Sequence, residues 1–192
     1  MRWSVFIFFG MLALASCQHN PTASKNYFDI NSLIDQQLVY LTKAGASLSK
    51  SASIDSVRDK TNFQPDSASW ANELEVFRHL DIINKPIYVD SYNVTDGEKD
   101  TNSNLIVRSF VANKEIPVKS LKLYYQESPQ KLRKLEAVLS EKNSLYYTTR
   151  KFSMELEDVN ELMVLSRYNV QGVQKMVLRD SVKFEISSEV LY

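Results

Sequence analysis

From Ile87 to Tyr192 the apolar residues of the chain recur at every second position, and the runs they form are broken only by short polar connections. That period commits more than half of the chain to β-structure, because alternate side chains of a strand face opposite sides of a sheet. Strand-like runs fall at residues 87–94, 105–112, 118–125, 132–139, 145–156, 162–170, 173–178 and 182–190. Between them stand Asp96-Gly97, Glu141-Lys142-Asn143, Asp158-Val159-Asn160 and Gln171-Gly172, loops of a length that favours antiparallel neighbours. One run is ambiguous: Leu132, Leu135 and Leu139 fit a helix as well as a strand.

Ahead of this region the period is helical. Ile30, Leu33, Ile34, Leu38 and Leu41 form one stripe, with Asp29 or Asn31 to cap its start and Gly45 to end it. Gln36, Gln37 and Lys43 supply no basic face, which favours a helix packed on the domain over one lying on a membrane or a partner. Leu48, Ala52 and Ile54 among serines and lysines predict an exposed strand or hairpin. A second helix is capped by Asp66 or Ser67 and repeats Trp70, Leu74 and Phe77 on one face, with Glu73, Glu75 and Arg78 away from it. If Trp70 is core, its indole N–H needs an acceptor. Residues 81–86 then turn the chain, because Pro86 forces Lys85 into an extended conformation. The expected fold class is α+β: two N-terminal helices packed on a curved antiparallel β-meander or partial barrel.

The first seventeen residues follow a different logic. Arg2 precedes an apolar run, residues 5–15, that is too short to span a bilayer, which takes about 20 helical residues, but suits a secretory signal. The run closes on Leu14-Ala15-Ser16-Cys17, which resembles a bacterial lipobox: an aliphatic residue and two small ones before the only cysteine of the chain. The resemblance implies that residues 1–16 are a signal peptide, removed by cleavage. Cys17 would carry a diacylglyceryl group on sulfur and an acyl chain such as palmitate on its amine. One chain gives marginal binding; two or three anchor stably. An ordinary signal, cut to leave a free thiol, is the alternative, and a lone thiol in a secreted domain has no disulfide partner. Residues 17–26 read as a lipidated tether, polar and aperiodic, and residues 27–192 as a single α+β domain. Fully extended, the tether reaches about 30 Å. Gln18 follows the cysteine, with no aspartate or acidic run after it. By resemblance to known sorting patterns this implies an outer-membrane lipoprotein facing the periplasm.

Removing residues 1–16 takes away Arg2 and no acid, leaving 22 basic residues where there were 23, against 23 acidic ones. No basic patch stands out, so no nucleic-acid partner is expected. Nor does the sequence assemble a catalytic set. His19 lies in the tether and His79 on the second helix, and with Cys17 acylated the ligands for a zinc site are missing. A Ser-His-Asp triad would have to use His79, without a Gly-x-Ser-x-Gly elbow. Carboxylate pairs such as Glu155 with Glu157 or Asp180 with Glu185 are too common for spacing to single one out, and four glycines form no phosphate-binding loop. No cofactor or metal is expected. Ten tyrosines, including Tyr124-Tyr125 and Tyr146-Tyr147, would suit the mouth of a concave sheet receiving an amphiphile or glycan. They are equally favoured strand residues.

The lipobox, the run from Trp70 to Phe77, the 81–86 turn and an expected hairpin at Gln171-Gly172-Val173-Gln174-Lys175 together resemble an uncharacterised envelope lipoprotein family of Bacteroidota over residues 27–186. The resemblance implies the address and the helix-then-sheet layout and brings no activity. The expected function is that of a non-enzymatic envelope lipoprotein, held to the membrane by its anchor, that binds a lipid or other hydrophobic ligand or a protein partner. The alternative is a carboxylate-based hydrolase of an envelope glycan. An open apolar pocket would point to a carrier, and a filled sheet to a scaffold.

Overall fold

A computed structural model describes residues 25–192. The signal-like segment, Cys17 and His19 lie outside the described residues, as does all of the tether except Lys25 and Asn26.

Helix α1, Ile30–Ala44, begins where Asp29 accepts a hydrogen bond from the Ser32 amide at 3.0 Å, satisfying one of the free N–H groups of the first turn. It ends at Gly45, whose φ of 60° lets Gly45 N–H reach the Thr42 carbonyl and Ala46 N–H the Leu41 carbonyl. A hairpin of β1, Ser47–Ile54, and β2, Val57–Phe63, follows. Helix α2, Ser67–Arg78, is capped by Asp66 through the Ser69 amide at 2.7 Å. The chain then winds through two short 3-10 helices, His79–Asn84 and Pro86–Tyr88, with Lys85 extended between them as a residue before proline must be.

Seven strands complete the chain: β3 Tyr92–Lys99, β4 Ile106–Ala112, β5 Val118–Tyr125, β6 Leu132–Lys142, β7 Tyr146–Val159, β8 Leu162–Met176 and β9 Ser181–Leu191. From β3 to β9 each strand pairs antiparallel with the next. The β1–β2 hairpin adds to the far side of β9, giving the order β2-β1-β9-β8-β7-β6-β5-β4-β3. The α+β class and the antiparallel meander are as expected.

Three expectations are corrected. The helices are not paired at the N-terminus: the strand or hairpin expected around residues 48–54 lies between them as β1 and β2 and joins the sheet. The sheet is open and not a barrel: β2 and β3 are its two edges and do not pair with each other. Several strand bounds also move. The 87–94 run is a 3-10 turn followed by β3, and Asp96-Gly97 is a bulge inside that strand, with Gly97 at φ 86°. Gln171-Gly172 is no hairpin but the middle of β8. A Cβ on Gly172 would stand 2.5 Å from the Thr149 carbonyl and 2.7 Å from the Phe184 ring, so glycine there serves close approach and not a turn. Leu132, Leu135 and Leu139 belong to strand β6.

Both helices cover one face of the sheet, and the core forms between them. Ile30, Ile34, Trp70, Leu74 and Phe77 meet Leu121, Leu135, Phe152, Met154 and Val170, all buried. The Phe77 ring stands edge-on to Phe152 and to Tyr168, at centroid distances of 5.7 and 5.8 Å. Each such side chain contributes about 1.5–3 kcal/mol by leaving water. Two polar residues fasten the layers. Gln37 donates to the Met163 carbonyl at 2.9 Å and accepts from the Leu165 amide at 2.8 Å, occupying the stretch of β8 that lies beyond the end of its pairing with β9. Glu73 accepts two bonds from Lys50 and one from Tyr168, tying α2 to β1 and β8. Trp70 is core as expected, but its indole nitrogen finds no acceptor.

Candidate functional site

The strands that bury Phe152, Met154 and Val170 on one face present Lys151, Ser153, Asn169 and Gln171 on the other, as the two-residue period requires. Register then aligns these outward residues across the sheet. One row runs Lys122, Glu136, Ser153, Asn169, Ser187, Ser51 and Lys60, each residue directly opposite the next from β5 to β2. The adjacent row runs Ser120, Val138, Lys151, Gln171, Glu185, Ser53 and Arg58. Thirteen of the fourteen side chains are polar, and Val138 is the exception.

Three hollows, of 540, 430 and 310 Å³, lie on this open face. They run into one another: Ser153 and Asn169 line the first and third, Lys151 and Gln171 the second and third, and Arg58 the first and second. Together they make a trough across the strands with Arg58 and Lys60 of the edge strand at one end. Within it Asn169 donates to Glu185 at 3.0 Å and to Ser187 at 2.7 Å, while Arg167 pairs with Glu155 at 3.4 Å. Lys151 forms no ion pair among the described residues. The floor offers hydroxyls, amides and charges of both signs to anything laid along it.

A second cleft, of 710 Å³, opens on the helix side where the 3-10 helix meets β6 and β7. It gathers Lys25, Arg78, His79, Asp81, Glu141 and Arg150. His79 and two carboxylates thus share a cavity, but the carboxylates are engaged. Asp81 accepts from Lys25 and Asn31 on one oxygen and from Asn84 on the other, and Asn84 in turn holds the backbone of Tyr27 and Phe28. Glu141 pairs with Arg150 at 2.8 Å. The bonds of Asp81 and Asn84 fasten the start of the domain to the first 3-10 helix, and the Glu141 pair ties β6 to β7. Among the described residues no three histidine, cysteine or acidic side chains group to hold a metal.

The other residues singled out by sequence are dispersed. Glu155 pairs with Arg167 on the open face; Asp180 sits in the turn after β8, while Glu185 receives Asn169 within β9. The tyrosines do not form a mouth. Tyr124 and Tyr125 are neighbours on one strand, so they face opposite ways, bonding Glu136 and Asp96 respectively at 2.7 Å. Burial and then the Glu136 carboxylate push the Tyr124 phenol well above its usual range, so it remains a hydrogen-bond donor. Tyr147, which accepts from Thr149 at 2.6 Å, is held below its usual range by that bond first.

Comparisons with protein-family models, with curated proteins and with solved structures return no match.

Proposed function

We propose that this chain is a non-enzymatic bacterial envelope lipoprotein, tethered through acylated Cys17 at the periplasmic face of the outer membrane, and that its domain holds an extended hydrophilic segment of an envelope protein across the open face of the sheet. The trough carries this reading. Its two register-aligned rows supply donors and acceptors at strand spacing, about 4.8 Å, along a line that a partner backbone and its polar side chains can follow. A lipid cargo is the weaker fit, because the apolar side of the sheet is filled by its own helices and the side chains lining the trough are mostly polar.

The test places a photo-crosslinking residue at Gln171 in the full chain within bacterial envelopes, with Val39, exposed on α1, as the control position. A discrete protein adduct from position 171, absent from position 39 and lost with Lys151→Glu and Arg58→Glu together, supports the reading. Adducts made only of lipid, or equal adducts from both positions, overturn it. The anchor is tested separately. Cys17→Ala releases the protein in soluble form or leaves the precursor uncut, and unchanged fractionation with membranes refutes the lipoprotein reading.

The hydrolase alternative draws on Asp81, Glu141 and His79 sharing one cleft. Turnover of peptidoglycan or another envelope glycan by purified protein, lost with Glu141→Gln, would favour it.

A further inference from the structure

The longest strands of the sheet, β7 and β8, end in two neighbouring turns that carry an apolar surface of their own. The first, residues 143–145, joins β6 to β7; the second, residues 177–180, joins β8 to β9. Val177 N–H donates to the Leu145 carbonyl at 2.9 Å, so the two turns are hydrogen-bonded into one tip. Leu145 is 68 % exposed, Val177 56 % and Leu178 100 %. Met176 is exposed behind them.

Leu178 has a φ of 61°, the left-handed region that glycine and asparagine occupy readily and leucine rarely does. Glycine or asparagine would relieve that conformation. Here an unfavourable backbone conformation holds an apolar side chain in water, where neither packing nor turn chemistry favours it.

The charges around the tip have one dominant sign. Lys142, Lys175 and Arg179 flank the apolar residues, none of them in an ion pair among the described residues, while the acids beside them are Asp180 and Glu141, the latter paired with Arg150. Tyr147 lies between Lys142 and Lys175 in register, so the three side chains share a sheet face just behind the apex. An apolar apex with a tyrosine and cations beside and behind it matches the make-up of a bilayer surface, where apolar side chains enter the acyl boundary while aromatic rings and cations sit among anionic headgroups. The other end of the same β7–β8 hairpin has the opposite character, since Val159 and Leu162 stand there among Glu157, Asp158 and Glu161.

The start of the domain lies toward the basic end. Lys25 lines the cleft with Glu141 and Arg150, and Arg150 is four residues, about 13 Å of strand, from Tyr146. Cys17 precedes Lys25 by eight residues, a span of at most about 30 Å.

We propose that the paired turns 143–145 and 177–180 are a membrane-contact tip, which seats Leu145, Val177 and Leu178 among the headgroups of an anionic bilayer and pairs Lys142, Lys175 and Arg179 with their phosphates. This deepens the lipoprotein reading, on which the choice of membrane rests: the anchor keeps the chain at the surface, and the tip fixes which end of the sheet faces it. The open face, with its strands rising from the bilayer, is then presented sideways to the periplasm.

The test uses the full acylated chain in vesicles. Leu178→Trp introduces an indole at the apex, and its emission is compared with that of the unsubstituted chain in vesicles of phosphatidylglycerol and phosphatidylcholine whose acyl chains are brominated. The introduced indole is expected to be quenched there, with quenching falling at least about threefold in vesicles of phosphatidylcholine alone or when Lys142, Lys175 and Arg179 are all changed to glutamate. A chain that stays with the vesicles while that indole is unquenched refutes the tip and leaves the anchor standing. Quenching in a chain carrying Cys17→Ala as well supports the tip whatever becomes of the anchor. Leu178→Asp keeps a residue that tolerates positive φ, and it should abolish protection of Arg179 from trypsin by anionic vesicles; persistent protection overturns the proposal.

Discussion

The two faces of the sheet are built from the same strands and differ in almost every other respect. On β7, Phe152 and Met154 are sealed under the helices while Lys151 and Ser153, one residue away, line the trough. On β8, Tyr168 and Val170 face inward, and Asn169 and Gln171 outward. The covered face is apolar, aromatic and closed by α1 and α2; the open face is hydroxyl, amide and charge. Because a strand turns alternate side chains to opposite sides, one sequence carries two independent surfaces, and substitution on one should leave the other nearly untouched. Burial places stability on the covered face, and the proposed reading places recognition on the open one.

The hardest blow to that division is Phe77→Ala. The ring is fully buried and packs edge-on against Phe152 and Tyr168, so its loss removes apolar burial and leaves a cavity. A loss of about 3–5 kcal/mol is expected in urea unfolding. Adducts from position 171 should persist under conditions where the variant is still folded.

Gln37→Leu comes next. The substitution keeps much of the side-chain volume but strands the Met163 carbonyl and the Leu165 amide without partners beneath α1. A loss of about 1–3 kcal/mol should appear as a lowered urea midpoint, accompanied by faster amide exchange at Leu165. An unchanged midpoint would mean that the end of β8 is not held by the helix.

These residues also mark how far the sequence could be read. The caps of both helices were legible, because Asp29, Gly45 and Asp66 act on groups within a few residues of themselves. Most strands were legible for the same reason, since period is a local property, but the start of the 87–94 run holds a 3-10 turn instead. Gly172 was misread: glycine ordinarily signals a turn, and its actual cause is the Phe184 ring lying across from it on β9. Gln37 looked like a surface residue because its partners are more than a hundred positions away. Glu73 looked solvent-facing for want of Lys50 and Tyr168. The open-face rows follow the same rule. Each strand displays its polar alternation, but only the long-range register sets Ser51, Ser187, Asn169 and Ser153 in one line.

Tyr192 offers a smaller effect with a pH signature. Its hydroxyl donates to the Leu165 carbonyl at 2.7 Å, and burial, with the Glu157 carboxylate second, pushes the phenol up to about 12 from an unfolded value near 10. The folded state therefore holds this proton more tightly than the unfolded one. Its stabilisation is complete below about pH 10 and fades as pH climbs from about 10 to 12. Tyr192→Phe should cost about 1 kcal/mol at neutral pH. It should also flatten the alkaline fall in stability measured by urea titration across that window, and a slope unchanged by the substitution would remove Tyr192 from the account.

The smallest change in stability is expected where the change in recognition is largest. Asn169→Ala deletes two hydrogen bonds, to Glu185 and Ser187, on a face open to water, where water replaces both partners. Its effect on the urea midpoint should stay within about 0.5 kcal/mol. At the same time it interrupts the row of Ser153, Asn169 and Ser187 and removes the bond that ties this row to Glu185 of its neighbour. Adduct formation from position 171 should therefore fall several-fold while folding is unchanged. If the midpoint drops by as much as it does for Gln37→Leu, the open face is part of the scaffold after all, and the separation of the two faces fails at the residue chosen to display it.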